Sequence, residues 1–366
     1  MDRRDLDRLL TLLGRWEGSD LHLKAGVTPR VRIDGDLRTL TDEPRSTPAE
    51  MVAVAHAIMA PEVAATFDRL READFAYSLS GVGRFRVNAY YQRSSVALAF
   101  RRVRSVPGSV QELGLPAPVE RLADEPRGLV LVTGPTGSGK TTTLAAMIDH
   151  INRTRACHII TIEDPIEYLH SDRLASIGQR EIGFDTQSFA SAMRVVLRQD
   201  PDVILIGEMR DIETTSAALT AAETGHLVLS TLHTIDATET VTRIVDFFPP
   251  HQHRQVRSSL GGALRGTVAQ RLVRRADGKG RVPAVEVMIV NGRIRQCIED
   301  REHTSDIAEI IAEGEFYGMQ TFDQHLASLL EAGTITLDEA LEEATNPHDL
   351  RVSLERRGLV RTGLGG

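Results

Sequence analysis

The chain has 366 residues, 41% of them apolar, enough for two cores, and a formal net charge of −8 that argues against a general nucleic-acid coat. Its two cysteines, Cys157 and Cys297, cannot build a disulfide framework or a four-thiolate zinc site, and read as buried small apolar residues in a reducing cytosol. No run approaches the ~18 apolar residues of a membrane span, and the charged opening MDRRDLDRLLTLLGRWEGSD has no signal-peptide pattern, so any membrane role is expected to be peripheral.

Leu6, Leu9, Leu10 and Leu13 recur at helical spacing, which predicts an amphipathic helix over 1–15 with its apolar stripe on a core. The alternation in LHLK and VRIDGDLRTL predicts short strands, with Asp34 and Gly35 turning between 31–33 and 37–40. Helices are expected over 49–59 and 61–70, then strands over 83–92 and 95–103, completing a small α+β module. In the first of these strands Phe85, Val87, Ala89 and Tyr91 share one face, and Arg84, Arg86, Asn88 and Tyr90 the other. A basic face of this kind is most simply solvated. The segment 106–118, with Pro107, Gly108, Gly114, Pro116 and Pro118, breaks both periodicities and reads as a linker between domains 1–105 and 119–366.

Beyond the linker, apolar strand candidates at 129–133, 158–163, 203–206 and 227–232 alternate with helices at 140–153, 189–197, 211–224 and 237–247, a polar loop lying between 163 and 189. This alternation indicates an α/β domain whose mostly parallel sheet is covered on both faces. A late strand over 284–290 is expected to end at the turn pair Asn291 and Gly292. From 292 the chain reads as mainly helical, and its last residues, LVRTGLGG, look frayed.

The chemistry begins at GLVLVTGPTGSGKTTTL, where Gly134, Gly139, Lys140 and Thr141 fill the pattern GxxxxGK[ST] after an apolar strand and before a helix. Backbone N–H groups of such a loop converge on phosphate oxygens at the positive end of the helix. Gly134, Pro135, Thr136, Gly137, Ser138, Gly139, Lys140, Thr141 and Thr142 are therefore the expected nucleotide-binding residues, Lys140 reaching the β- and γ-phosphates and Thr141 a Mg²⁺ ion. Three motifs follow at strand ends, where ligands collect in an open parallel sheet. TIEDPIEY places Glu163 to accept a proton from, or orient, the attacking water, while LRQDPDVILIGEMRD delivers Glu208 as the acid that holds the Mg²⁺ shell. GHLVLSTLHT sets His226 and His233 at the two ends of one strand, as candidate γ-phosphate sensors.

Taken together, GPTGSGKTTT, TIEDPIEY, LRQDPDVILIGEMRD and GHLVLSTLHT resemble the Walker A, Asp, Walker B and His boxes of the secretion ATPase superfamily, and within it the type IV pilus twitching-motility (PilT-like) ATPases. The stretches GSDLHLKAGVTPRVRIDGDL, GRFRVNAYYQRSSVALAFRRV, SLGGALRGTVAQRLVRR and GMQTFDQHLASLLEAGTIT are similar to that family too, so the resemblance runs almost end to end. It implies a homohexamer in which a PAS-like amino-terminal domain packs over ATP and Mg²⁺ held by a RecA-like P-loop domain. It also implies that Arg86 and Arg101 reach the phosphates, a task suited to the planar guanidinium fork. The implied setting is cytoplasmic, peripheral at the inner face of the cytoplasmic membrane, against an inner-membrane pilus platform protein, with neither nucleic acid nor zinc.

The direction of work is a separate question. Assembly ATPases and their type II secretion relatives commonly carry an additional amino-terminal domain and a tetracysteine metal site; neither is expected here, which favours retraction over assembly or type II secretion, while the complete set Lys140, Thr141, Glu163 and Glu208 argues against a nucleotide-gated scaffold with weak hydrolysis. Retraction ATPases typically show AIRNLIRE near the carboxy terminus. Here the segment is GRIRQCIED, which keeps Ile294, Arg295 and Ile298 and ends acidic, leaving room for an accessory retraction paralogue.

Overall fold

The computed structural model describes residues 1–106 and 108–360, so Pro107 of the expected linker and the end of the expected frayed tail lie outside the described residues. The chain divides into two compact units, Met1–Ser105 and Val106–Gly366.

In the first unit, six antiparallel strands run in the order Asp36–Thr39, Arg30–Ile33, Asp20–Lys24, Ser95–Arg102, Gly83–Gln92, Glu72–Leu79. Helices Arg3–Arg15, Pro48–Ile58 and Pro61–Leu70 cover one face, packing Leu6, Leu9, Leu10, Leu13, Met51 and Phe67 against Phe85, Val87, Leu98 and Phe100. The first two helices start at capping boxes, Asp2 with Asp5 and Thr47 with Glu50, which satisfy the first free N–H groups. This is the α+β module the sequence indicates, with one strand more: Glu72–Leu79 alternates buried Ala73, Phe75 and Tyr77 with solvent-facing residues.

The second unit is built on a seven-stranded sheet in the order Ser176–Glu181, His158–Glu163, Val203–Ile206, Leu227–Leu232, Gly128–Thr133, Leu264–Arg274, Arg281–Ile289. All neighbouring pairs are parallel except the last, so the sheet is RecA-like, with one antiparallel edge strand. Alternate residues of each strand enter two different cores. Leu129, Leu131, Ile160 and Ile162 pack under Phe189–Val196 and Ala237–Asp246, whereas Val130, Val132 and Ile159 pack under Lys140–Thr154. Two strands escaped the sequence pattern: Ser176–Glu181, inside the expected polar loop, and Leu264–Arg274.

Val110 and Leu115 are buried in the core of this unit, so the expected linker packs with it from Val110 on. The late strand, Arg281–Ile289, ends just before Asn291 and Gly292 as expected, and there the Asn291 side chain caps helix Gly292–Glu299, which buries Ile294, Cys297 and Ile298. Cys297 is thus a core residue, whereas Cys157 is only partly buried. No helix among the described residues is long and apolar enough to cross a membrane.

Candidate nucleotide site

Because the central strands are parallel, their carboxyl ends meet at one edge of the sheet, and residues 134–141 emerge there from Gly128–Thr133. Gly134, Gly137 and Gly139 take φ of +139°, +81° and +93°, a region L side chains avoid. Space adds a second reason for glycine. A Cβ on Gly134 would lie 2.3 Å from the Gln270 carbonyl oxygen, and one on Gly139 would lie 2.7 Å from Gln270 Nε2. Helix Lys140–Thr154 has no side-chain cap, so the N–H groups of its first turn are left for a ligand. Lys140 is buried and donates from Nζ to the Gly134 and Pro135 carbonyls at 2.8 and 2.9 Å. Burial lowers its pKa, against the attraction of Glu208.

The loop fits a nucleotide phosphate chain on its own evidence. The Ser138 hydroxyl is buried without a hydrogen-bond partner among the described residues, and Thr141 is half-buried. Pro135, Thr136 and Gly137 form the exposed rim, and Thr142 shares a 2.9 Å hydrogen bond with the Tyr168 hydroxyl.

Glu163 ends the strand His158–Glu163 and is buried. Its Oε1 accepts from the Thr161 hydroxyl at 2.6 Å and from Gln179 Nε2 at 3.1 Å. Burial outweighs these hydrogen bonds and pushes the carboxyl above its ordinary range, which favours its protonated form. Glu208 follows Val203–Ile206 on the adjacent strand, and Gly207 donates its N–H to the Ile162 carbonyl at 2.8 Å, so the two acidic segments lie side by side. The Glu208 carboxylate contacts the Arg210 guanidinium and lies 3.5 Å from His233 Nε2. Glu163, Glu208, His233 and the loop therefore share one edge.

His226 does not join them. It precedes Leu227–Leu232, its carbonyl accepts from Gly128 N at 2.9 Å, and its Nδ1 faces the Ala221 carbonyl at 3.0 Å. Gly128 begins the strand that ends at the loop, so His226 stands at the opposite edge of the sheet and is not a ligand of this chain's own nucleotide loop. The spacing of two histidines around one strand suggested otherwise; a strand of this length, rising ~3.3 Å per residue, holds its ends apart.

In the first unit, Arg86 and Arg101 stand directly opposite each other on neighbouring strands. The row continues from Arg101 to Asp20 and from Asp20 to Arg32. Arg101 Nε donates to Asp20 Oδ1 at 2.8 Å. Burial works to raise the Asp20 carboxyl, but hydrogen bonds from Ser19 and Arg101 prevail and hold it below the usual range. Like charges across a strand pair are destabilising, so two facing arginines are a feature that packing alone does not favour.

The family profile of type II/IV secretion system proteins matches residues 17–342. The chain belongs to that family. It is similar to the type IV pilus retraction ATPase PilT of Pseudomonas aeruginosa, with 44% identity over 345 residues, 94% of this chain and 99% of the relative. It is also 45% identical over 323 residues to a twitching motility protein of Neisseria gonorrhoeae, covering 88% of this chain and 86% of that one. Among solved structures, the pilus retraction motor PilT with bound ADP superposes with a TM-score of 0.85 at 45% identity, covering 95% and 99% of the two chains. As a secretion-family member of this fold, the chain is an ATPase.

Three residues of this secretion-family site went unread in the sequence: Gln179 on Glu163, Arg210 on Glu208, and Gln270 against the loop. Arg210 follows its acid by two positions, and that adjacency was the available signal. The others come from strands without an apolar pattern.

Proposed function

We propose that this chain is an ATP-hydrolysing motor of type IV pilus retraction, working as a homohexamer at the inner face of the cytoplasmic membrane against an inner-membrane platform protein. The observation that carries the reading is the gathering of Lys140, Glu163, Glu208 and His233 at one sheet edge, in a chain so similar to PilT along its length. The loop amides and Lys140 bind the phosphates, and Glu163 takes the proton of the attacking water. The Thr141 hydroxyl and Glu208 would hold a Mg²⁺ ion, which would supply charge neutralisation to the phosphates. His233, against Glu208, senses the γ-phosphate. Arg86 and Arg101 close from the amino-terminal unit onto the developing phosphoryl charge, and each closure and reopening moves the pilus machinery by one step.

The test has two arms. Purified protein should hydrolyse ATP, and Lys140→Ala and Glu208→Ala should each lose at least about a hundredfold in kcat; equal inactivity of all three removes the enzyme reading. A deletion strain should lose twitching while accumulating surface pili. Bald cells would turn the reading to assembly.

A further inference from the structure

Gln270 is 3% exposed and lies on the strand next to that of the nucleotide loop, where Ala269 pairs with Thr133. Its carboxamide has two partners. Nε2 donates to the Ser138 carbonyl at 2.7 Å, and Oε1 accepts from the Thr143 hydroxyl at 2.7 Å. One side chain thus ties the loop to the first turn of the helix that follows it. The amide orientation is unambiguous, because the Ser138 carbonyl can only accept and must face the nitrogen.

We propose that Gln270 is the positioning residue of the nucleotide loop. In a planar trans peptide the C=O and the following N–H point in opposite directions. Drawing the Ser138 carbonyl onto Gln270 therefore turns the Gly139 N–H away from the strand, toward the side left for phosphate oxygens. The backbone carbonyl of the same residue sets the other end of the loop, since it occupies the space beside Gly134 where any Cβ would fall. Thr143 keeps the carboxamide from rotating. Without the donor at Nε2 the Ser138 peptide is free to turn, and the amide that should meet the phosphate points elsewhere for much of the time.

Gln270→Glu is the discriminating variant. It keeps size, shape and the acceptor for Thr143, but sets a carboxylate oxygen against the Ser138 carbonyl in place of a donor. Protonation of that carboxyl restores an O–H donor. At pH 8 the KM for ATP and the Kd for ADP should each rise about tenfold, the worth of one buried hydrogen bond, with kcat within about threefold of wild type. Between pH 8 and pH 6 the KM deficit relative to wild type should shrink. Thr143→Val should raise KM more modestly and without that pH dependence. A residue that merely supports the fold would lower the melting temperature and the active fraction while leaving KM and its pH profile alone. The inference is overturned by wild-type KM and ADP affinity in Gln270→Glu at pH 8. It rests on the loop being an ATP site: failure of wild type to bind ADP would remove that reading as well, whereas unaltered binding in the variant removes this inference alone.

Discussion

Glu286, outside the nucleotide site, is an acid strongly perturbed by its burial. It lies in the antiparallel edge strand, almost fully buried, and its Oε1 accepts the Ala237 N–H at 2.9 Å, at the start of the helix that follows the His233 loop. Burial pushes its carboxyl from 4.5 up to about 7, against the Ala237 hydrogen bond and Arg271, with Asp236 and Asp323 adding to the rise. Since the folded pKa is the higher one, the folded protein holds the extra proton between these values. The associated stability is complete below pH 4.5 and is lost as pH rises through about 7. A shift of this size corresponds to roughly 3 kcal/mol. Glu286→Gln keeps an acceptor for Ala237 without the charge. It should match wild type in urea unfolding near pH 4.5 and exceed it by about 2–3 kcal/mol at pH 8. A constant difference across that range would contradict the assignment. The facing pair Arg86 and Arg101 shows the reverse balance, in which a partly exposed charge row relies on one buried carboxylate, Asp20, to hold it together.

Most long helices begin at a side-chain cap, such as Asp211 on Thr214 or Asp236 on Glu239; Pro61–Leu70 and His253–Ala263 lack one, and so does Lys140–Thr154, which begins at Gly139 in the phosphate-loop pattern. An uncapped start on a buried helix is costly unless a ligand meets the free N–H groups, so its distinction was legible from GSGK alone. Asn291 was harder to read. Beside Gly292 it reads as a turn that ends the late strand, and its Oδ1 also accepts from Ile294 N at 3.0 Å and starts the helix carrying Ile294, Arg295 and Ile298. Asn291→Ala should cost about 1 kcal/mol in thermal or urea unfolding and leave ATP hydrolysis unchanged. A loss of turnover at unchanged stability would instead mark that helix as part of the working surface. The strands missed in the sequence have physical reasons too. Ser176–Glu181 is an edge strand with mostly half-buried residues, and Leu264–Arg274 buries Thr267 and Gln270 among its apolar positions, so neither shows a clean apolar pattern.

At the scale of the whole molecule, the division after Ser105 and the burial of Val110 and Leu115 in the second unit's core leave Val106, Gly108 and Ser109 as the described residues of the expected linker that precede that core. Gly108, at φ +134°, is the position there that an L side chain would strain. If closure of the amino-terminal unit drives turnover, Gly108→Val should cut steady-state hydrolysis at least about tenfold while binding of a fluorescent ADP analogue stays within about twofold. Undiminished turnover would remove bending at Gly108 from the mechanism. The local features of this protein were all written in short stretches: the glycine loop at 134–141, the acids at strand ends, the alternation of strands and helices, and the leucine stripe of the first helix. Each depends on neighbours within a few residues, so periodicity and spacing carry it. The tertiary structure alone decided that His226 stands at the far edge of the sheet, that Gln179 serves Glu163, and that Gln270 meets Ser138 across 132 residues of chain. Those contacts are set by strand order, and strand order is a choice among ways of burying the same apolar runs, which no local pattern of residues distinguishes.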